Sequence, residues 1–228
     1  MREHTSDGTI ELLRLWTYRL RGLLLVLLFT FGLPGLIMGE LSWFTRRWDD
    51  GLFVLLLCVM WMGQELFVHP ERRRGRNART HLLIIGSFLV TTGIAVAERN
   101  HGQTLSRRET WRLLGMMLCV LSIPIGLAAR FTLGRFYVPQ PVILPQQPLI
   151  RSGVYRYIRH PMYTSGLLWI LGLCLLLRSL LGAGLGLVLV GASLWLRIRE
   201  EEDLLLAAFG DAYRDYQRDS WYLFPFIC

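Results

Sequence analysis

The residues best equipped for chemistry fall in two separate stretches. The first, GVYRYIRHPMY at 153–163, sets Tyr155, Tyr157, His160 and Tyr163 among arginines just ahead of an apolar run. The second, RIREEED at 197–203, places Arg197 and Glu201 one helical turn apart on one face. Pro161 suits the first turn of a helix, where its missing N–H costs nothing, and this puts His160 at or near the N-cap. Apolar segments 162–177 and 179–196 are separated by little more than Arg178 and Ser179. They are therefore expected to form a tight antiparallel hairpin, which brings His160, Tyr163, Arg197 and Glu201 to one side of a bilayer as a pocket. Acids and aromatic faces suit a cationic ligand, and the planar fork of arginine suits a carboxylate. Plainer accounts stand beside this one. His160 with its tyrosines could be an interfacial aromatic belt, and Arg197 with Glu201 a surface ion pair worth under ~1 kcal/mol.

The elements that must position these groups are membrane helices. Of 228 residues 53% are hydrophobic and 18% charged, and the mean hydropathy is +0.38, too apolar for a soluble domain of this size. Six segments have few or no charges: 22–38, 51–68, 82–97, 113–129, 162–177 and 179–196. At ~1.5 Å per residue each reaches roughly 24–27 Å, close to a hydrocarbon core of ~30 Å once flanking aromatics and arginines extend it. The expected fold is all-α: a polytopic bundle of about six transmembrane helices with a C-terminal helical hairpin and an interfacial helix. The interfacial helix is read from Leu204, Leu205, Ala208 and Phe209, which share one face among acids and arginines. Residues 1–129 hold four helices, of which 22–38 carries Pro34 and 113–129 carries Pro124, both expected to kink. Residues 130–228 hold an irregular Pro-rich loop (130–161), the hairpin and the C-terminal segment.

All 25 basic residues are arginine, and alternate loops hold 18 against 7 of them. By the positive-inside rule both termini and the 130–161 loop face the cytoplasm. The N-terminal MREHTSDGTIELLRLW lacks the apolar core and cleavage site of a signal peptide, so the first helix is expected to direct insertion itself. Spread over membrane-flanking loops, the net charge of +8 speaks for topology and anionic headgroups and not for nucleic acid. Cys58, Cys119 and Cys174 lie in separate apolar segments, and neither a disulfide framework nor a metal site is expected. GAGLG at 182–186 has the glycine spacing of a dinucleotide loop but sits inside an apolar helix, where small residues permit close helix packing. Glu65 with His69 reads as an interhelical or snorkelling polar pair, and Glu98 as an interfacial cap.

GVYRYIRHPMY, a helical hairpin, RIREEEDLLLAAFGDAYRDY and a closing aromatic-Pro together resemble the isoprenylcysteine carboxyl methyltransferase family of membrane enzymes, over roughly residues 130–228. The resemblance implies S-adenosylmethionine as methyl donor. It places donor contacts on Gln140, on Gln147, Pro148, Leu149 and Ile150, on Tyr155, on His160, Pro161, Met162 and Tyr163, and on Glu201. Arg197 would hold the substrate, and Arg197 with Glu201 would form the catalytic pair. Gln147 stands where the family commonly has histidine. The implied acceptor is a lipophilic small molecule or lipidated group bearing a carboxylate, reached from the membrane lipids. Related phospholipid or small-thiol methyltransferases and a membrane NADPH-dependent sterol-type reductase are the alternatives, and the oligomeric state is left open.

Overall fold

The computed structural model describes residues 78–101, 105, 109–138 and 141–225. Apolar segments 22–38 and 51–68, with Pro34, Glu65 and His69, lie outside the described residues, as does Gln140. Two compact units divide the chain, Met1–Arg74 and Gly75–Cys228, and every described residue belongs to the second.

That unit is helical. Its order is α1 (Ala78–His101), α2 (Glu109–Leu133), a 3-10 turn (Gly134–Phe136), a second 3-10 turn (Gly153–Arg156), α3 (Pro161–Leu176), α4 (Leu180–Phe209) and α5 (Asp211–Asp219). Three helical stretches, Arg79–Arg99, Glu109–Phe136 and Leu180–Phe209, are long and apolar enough to cross a membrane, and Pro161–Leu176 is a shorter apolar helix. Large apolar side chains such as Leu187, Val188, Met117 and Val120 are more than half exposed on the outside of these helices, a surface that suits lipid. The chain is an integral membrane protein.

α2 packs along α3, and α1 along α4. Glycine makes both seams possible. A Cβ on Gly172 of α3 would stand 2.7 Å from the Gly115 carbonyl of α2. On α4, a Cβ at Gly182 would meet Ala95 at 2.9 Å and one at Gly186 would meet Thr91 at 3.0 Å. The GAGLG glycines thus serve close helix approach.

α3 stops through a specific backbone device. Arg178 adopts φ +58°, Arg178 N–H donates to the Leu175 carbonyl at 3.0 Å, and Ser179 N–H to the Cys174 carbonyl at 2.9 Å. These are the paired bonds of a Schellman motif, with arginine in the left-handed position where glycine is usual. Ser179 then caps α4 by accepting from Gly182 N–H at 2.9 Å, and its hydroxyl donates to Glu98. Glu98 therefore ties the end of α1 to the start of α4.

Two boundaries differ from the sequence reading. Residues 130–133 belong to α2, so the irregular segment begins only after the 3-10 turn at 134–136. α4 runs unbroken for 30 residues, roughly 45 Å at 1.5 Å per residue and longer than a ~30 Å core. No glycine or proline stands between Leu196 and Phe209, so nothing separates the apolar run from the charged turns that follow. The chain bends at Gly210, with φ +53°, and α5 starts there.

Candidate active site

α4 buries one stripe, Gly182, Gly186, Val190, Ser193, Leu194, Arg197 and Ile198, and continues it into the acidic turn at 200–202. The stripe packs apolar atoms for most of its length and then presents charge, so the site lies where the buried face of a membrane helix changes character. Opposite it stand the start of α3 and the loop before it.

Arg197 is 2% exposed. It donates to Thr80 Oγ1 of α1 at 3.1 Å, Thr80 donates to Glu200 at 2.8 Å, and the Arg197 charge also reaches the Tyr163 hydroxyl. Tyr163 in turn donates to Glu201 Oε2 at 2.6 Å. One phenol thus links the arginine and the acid that the sequence placed a turn apart. Because Arg197 is buried, the surface-ion-pair account does not describe it.

His160, 3% exposed, directly precedes α3 and stacks on Tyr163 with ring centroids 5.7 Å apart. Its partner is Glu202: Nε2 lies 3.2 Å from Oε1. Adjacent positions on a helix point ~100° apart, so Tyr163, inside α3, meets Glu201 while His160, before it, meets Glu202. The three tyrosines also separate. Tyr157 is 61% exposed, whereas Tyr155 is buried and Tyr163 turns inward to Glu201, so the aromatic-belt account fits Tyr157 alone.

Sequence reasoning missed Glu202 and Arg159. The Arg159 guanidinium is 3.3 Å from Glu202 Oε1, donates to the Gln217 carbonyl at 2.7 Å and also to that of Ser220, and lies over the Tyr222 ring at 5.4 Å. Tyr213 donates to the same Glu202 oxygen at 3.3 Å. The available signal was the arginine beside the histidine and the run of acids.

A backbone strap completes the arrangement. Ile158 and Trp221 form a parallel bridge, with Arg159 N–H to the Trp221 carbonyl and Trp221 N–H to the Tyr157 carbonyl, both at 2.8 Å. Thr164 donates to the Leu223 carbonyl, and Tyr216 donates to the Tyr155 carbonyl at 2.6 Å. The C-terminal segment thereby closes over the His-Pro step.

Electrostatics follow from this burial. Tyr155 is held well above the ordinary phenol range, first by desolvation and then by the Glu201 charge. Tyr213 is raised by burial and by Glu202 and Glu201, and Tyr222 by burial and Glu202. All three stay protonated at neutral pH.

The remaining candidates lie in the loop and the first turn of α3. Gln147 closes a turn in which Pro145 precedes Gln146 at φ +59°, the pattern of a type II turn. Its side-chain carbonyl accepts from Leu144 N–H at 2.9 Å, so that group is engaged locally. Pro148 is exposed, Leu149, Ile150 and Met162 are half-buried, and Pro161 is buried in the first turn of α3.

A family model described as phospholipid methyltransferase matches residues 110–212, the stretch holding Tyr155, His160, Tyr163, Arg197, Glu201 and Glu202. Over 74 residues the chain is 36% identical to the protein-S-isoprenylcysteine O-methyltransferase of Schizosaccharomyces pombe, covering 31% of this chain and 30% of that one. It is 28% identical over 176 residues to a probable protein-S-isoprenylcysteine O-methyltransferase of Oryza sativa subsp. indica, covering 74% and 92%. The chain spans about a third of the length of the fission yeast relative and of the Dictyostelium discoideum one. Among solved structures, a eukaryotic intramembrane Ras methyltransferase, isoprenylcysteine carboxyl methyltransferase, shares the fold with a TM-score of 0.54 at 22% identity, over 85% of this chain and 74% of that one. The family model falls on the segment that carries the clustered side chains, and the relatives that the chain resembles there are named protein-S-isoprenylcysteine O-methyltransferases.

Proposed function

We propose that this protein is an integral membrane methyltransferase that uses S-adenosylmethionine to methylate a carboxylate on a lipophilic, isoprenylcysteine-like acceptor. The observation that carries the reading is the Tyr163 hydroxyl, which donates to Glu201 and lies within reach of the Arg197 charge, at the end of a membrane helix. The residues fit the donor: Glu201 supplies negative charge toward a sulfonium or ammonium group, and Tyr155 and Tyr163 supply aromatic faces beside it. When bound, the donor supplies an activated methyl group whose bond to sulfur breaks as a bond to the acceptor oxygen forms, leaving a methyl ester and S-adenosylhomocysteine.

The chain's own part is alignment and exclusion of water. Arg197, fixed by Thr80, presents its planar fork to the acceptor carboxylate. A carboxylate carries no proton at neutral pH, so no general base is required. Tyr163 orients Glu201, and the strap from Trp221 to Leu223 covers the His160 step. Residues 130–228 carry the donor loop and the chemistry. The preceding helices form the membrane scaffold, to which α1 adds Thr80. We further read six crossings with the termini and site on the cytoplasmic side, where a soluble donor meets a membrane-borne acceptor. Reporter fusions after residues 75, 105 and 140 should read cytoplasm, outside, cytoplasm, and a cytoplasmic signal at 105 overturns this topology.

Methylation of an ethanolamine phospholipid is the second reading, favoured by the family model's description. The relatives' shared name favours the carboxylate, and favours either methyl transfer over the reductase alternative. Purified protein given labelled donor and a farnesylated-cysteine acceptor should form product whose label is released as methanol by mild alkali, because esters hydrolyse and N-methyl groups do not. Alkali-stable label in phospholipid would establish the second reading.

A further inference from the structure

Near its end α2 carries a cation that no acid among the described residues neutralises. Arg130 is only 9% exposed, yet among the described residues none hydrogen-bonds or ion-pairs with it, and its Nε is sealed from solvent without a partner. The nearest compensation is the Tyr137 ring, 5.8 Å from the guanidinium carbon. The side chain folds back along α2 toward α3. One terminal nitrogen comes within 3.5 Å of where a Cβ on Gly126 would stand, and the same point is 2.7 Å from Ser165 Oγ. The absence of a side chain at Gly126 leaves the guanidinium this room. A guanidinium taken out of water without a counter-ion is among the costliest groups to bury, and it ordinarily keeps an acid beside it. At the other end of the same helix Arg112 has Glu109 at 3.0 Å.

The position of Arg130 indicates which kind of anion suits it. Its charge acts on Tyr155, and so does that of Glu201, so one buried aromatic has a cation and an anion in its surroundings. The proposed donor carries complementary groups: a sulfonium and an ammonium, and one carboxylate a few bonds away. Arg197 lies on the Tyr163 side and is already engaged with Thr80, which suits it to the acceptor. We propose that Arg130 receives the α-carboxylate of the methyl donor's amino-acid tail, as a bidentate ion pair, leaving Arg197 to the acceptor. This rests on the methyltransferase reading above.

The test compares two ligands on purified full-length protein by calorimetric titration. S-adenosylhomocysteine carries the amino-acid tail, and 5′-methylthioadenosine keeps the thioether and nucleoside without it. The wild-type protein should prefer the first. In Arg130→Met its affinity should fall ~10-fold or more while methylthioadenosine binding stays within twofold, so that the preference collapses, and Arg130→Lys should recover part of it. A parallel loss of both ligands would make Arg130 structural, and unchanged S-adenosylhomocysteine binding would assign its anion to the acceptor or to a lipid phosphate; either overturns the proposal. If the wild-type protein binds neither ligand, the methyltransferase reading fails and this assignment with it.

Discussion

The two ends of the bundle formed by α1 to α4 bury charge in different ways. At the α3–α4 turn, Arg112 and Arg178 both reach the carboxylate of Glu109, at 3.0 and 3.4 Å, and that carboxylate is 62% exposed. At the loop end, Glu202 is 18% exposed and lies near Arg159, His160 and Tyr213, while Glu201 is held by a phenol. The first cluster finishes a helix turn and ends in water. The second is covered by the strap from Trp221 to Leu223 and, among the described residues, still leaves Arg130 without an acid. Charge that is expensive to bury and only partly matched by its own chain marks where a ligand completes the balance.

The comparison is broken most forcefully at the acids. Glu202→Ala strands Arg159 and His160 and should cost about 2–4 kcal/mol, whereas Glu109→Ala, facing water, should cost under ~1 kcal/mol. Thermal unfolding of both variants in detergent checks this, and equal losses would erase the distinction between the ends. Next in size are the site residues. Glu201→Gln should raise the dissociation constant for S-adenosylhomocysteine, and Arg197→Lys should leave that constant nearly intact while cutting turnover ~10-fold or more, the equivalent of ~1.4 kcal/mol of lost alignment. Donor titrations beside initial rates decide it, and normal turnover in Arg197→Lys refutes the acceptor role.

Smaller effects refine the picture. Tyr163→Phe removes one hydrogen bond from Glu201, worth ~0.5–1.5 kcal/mol. Both it and His160→Ala should weaken donor binding more than they lower the unfolding temperature. Unchanged binding in both would remove the donor role from the His-Pro step. The smallest effect is alkaline. Burial pushes the Tyr216 phenol up to about 12, above its unfolded value of ~10. The folded state therefore holds that proton more tightly, and the stability it contributes is complete below pH ~10 and is lost as pH rises from there toward 12. Unfolding temperatures across pH 8–11.5 should fall at the top of the range. Tyr216→Phe should start lower, having lost the bond to the Tyr155 carbonyl, and fall less steeply; an identical slope would exclude this tyrosine as the cause.

Legibility in the sequence tracked whether a feature is local. Pro161 marks a helix start that depends only on its own ring and missing N–H, and it opens α3 as expected. GAGLG inside an apolar run meant packing because no turn could form there, and Gly182 and Gly186 do pack on α1. The continuation of α4 to Phe209 was also written in the chain, in the lack of any breaker before Gly210, but a shift from apolar to charged composition drew the boundary too early. Glu202 was missed for a different reason. Two adjacent acids are equivalent by composition, and only the angle at which α3 meets α4 decides which one faces His160.

By itself, the sequence determined the helical class, the membrane setting, the packing role of the GAGLG glycines and the kinds of groups gathered at the His-Pro step, because hydropathy, backbone freedom and side-chain chemistry are properties of each residue and its near neighbours. The tertiary structure alone decided the pairing of Tyr163 with Glu201 and of His160 with Glu202, the strap from Trp221 to Leu223, and the setting of Arg130, which has no acid beside it among the described residues. Each depends on where distant segments come to rest, and no local pattern encodes which partner a charge will find or fail to find.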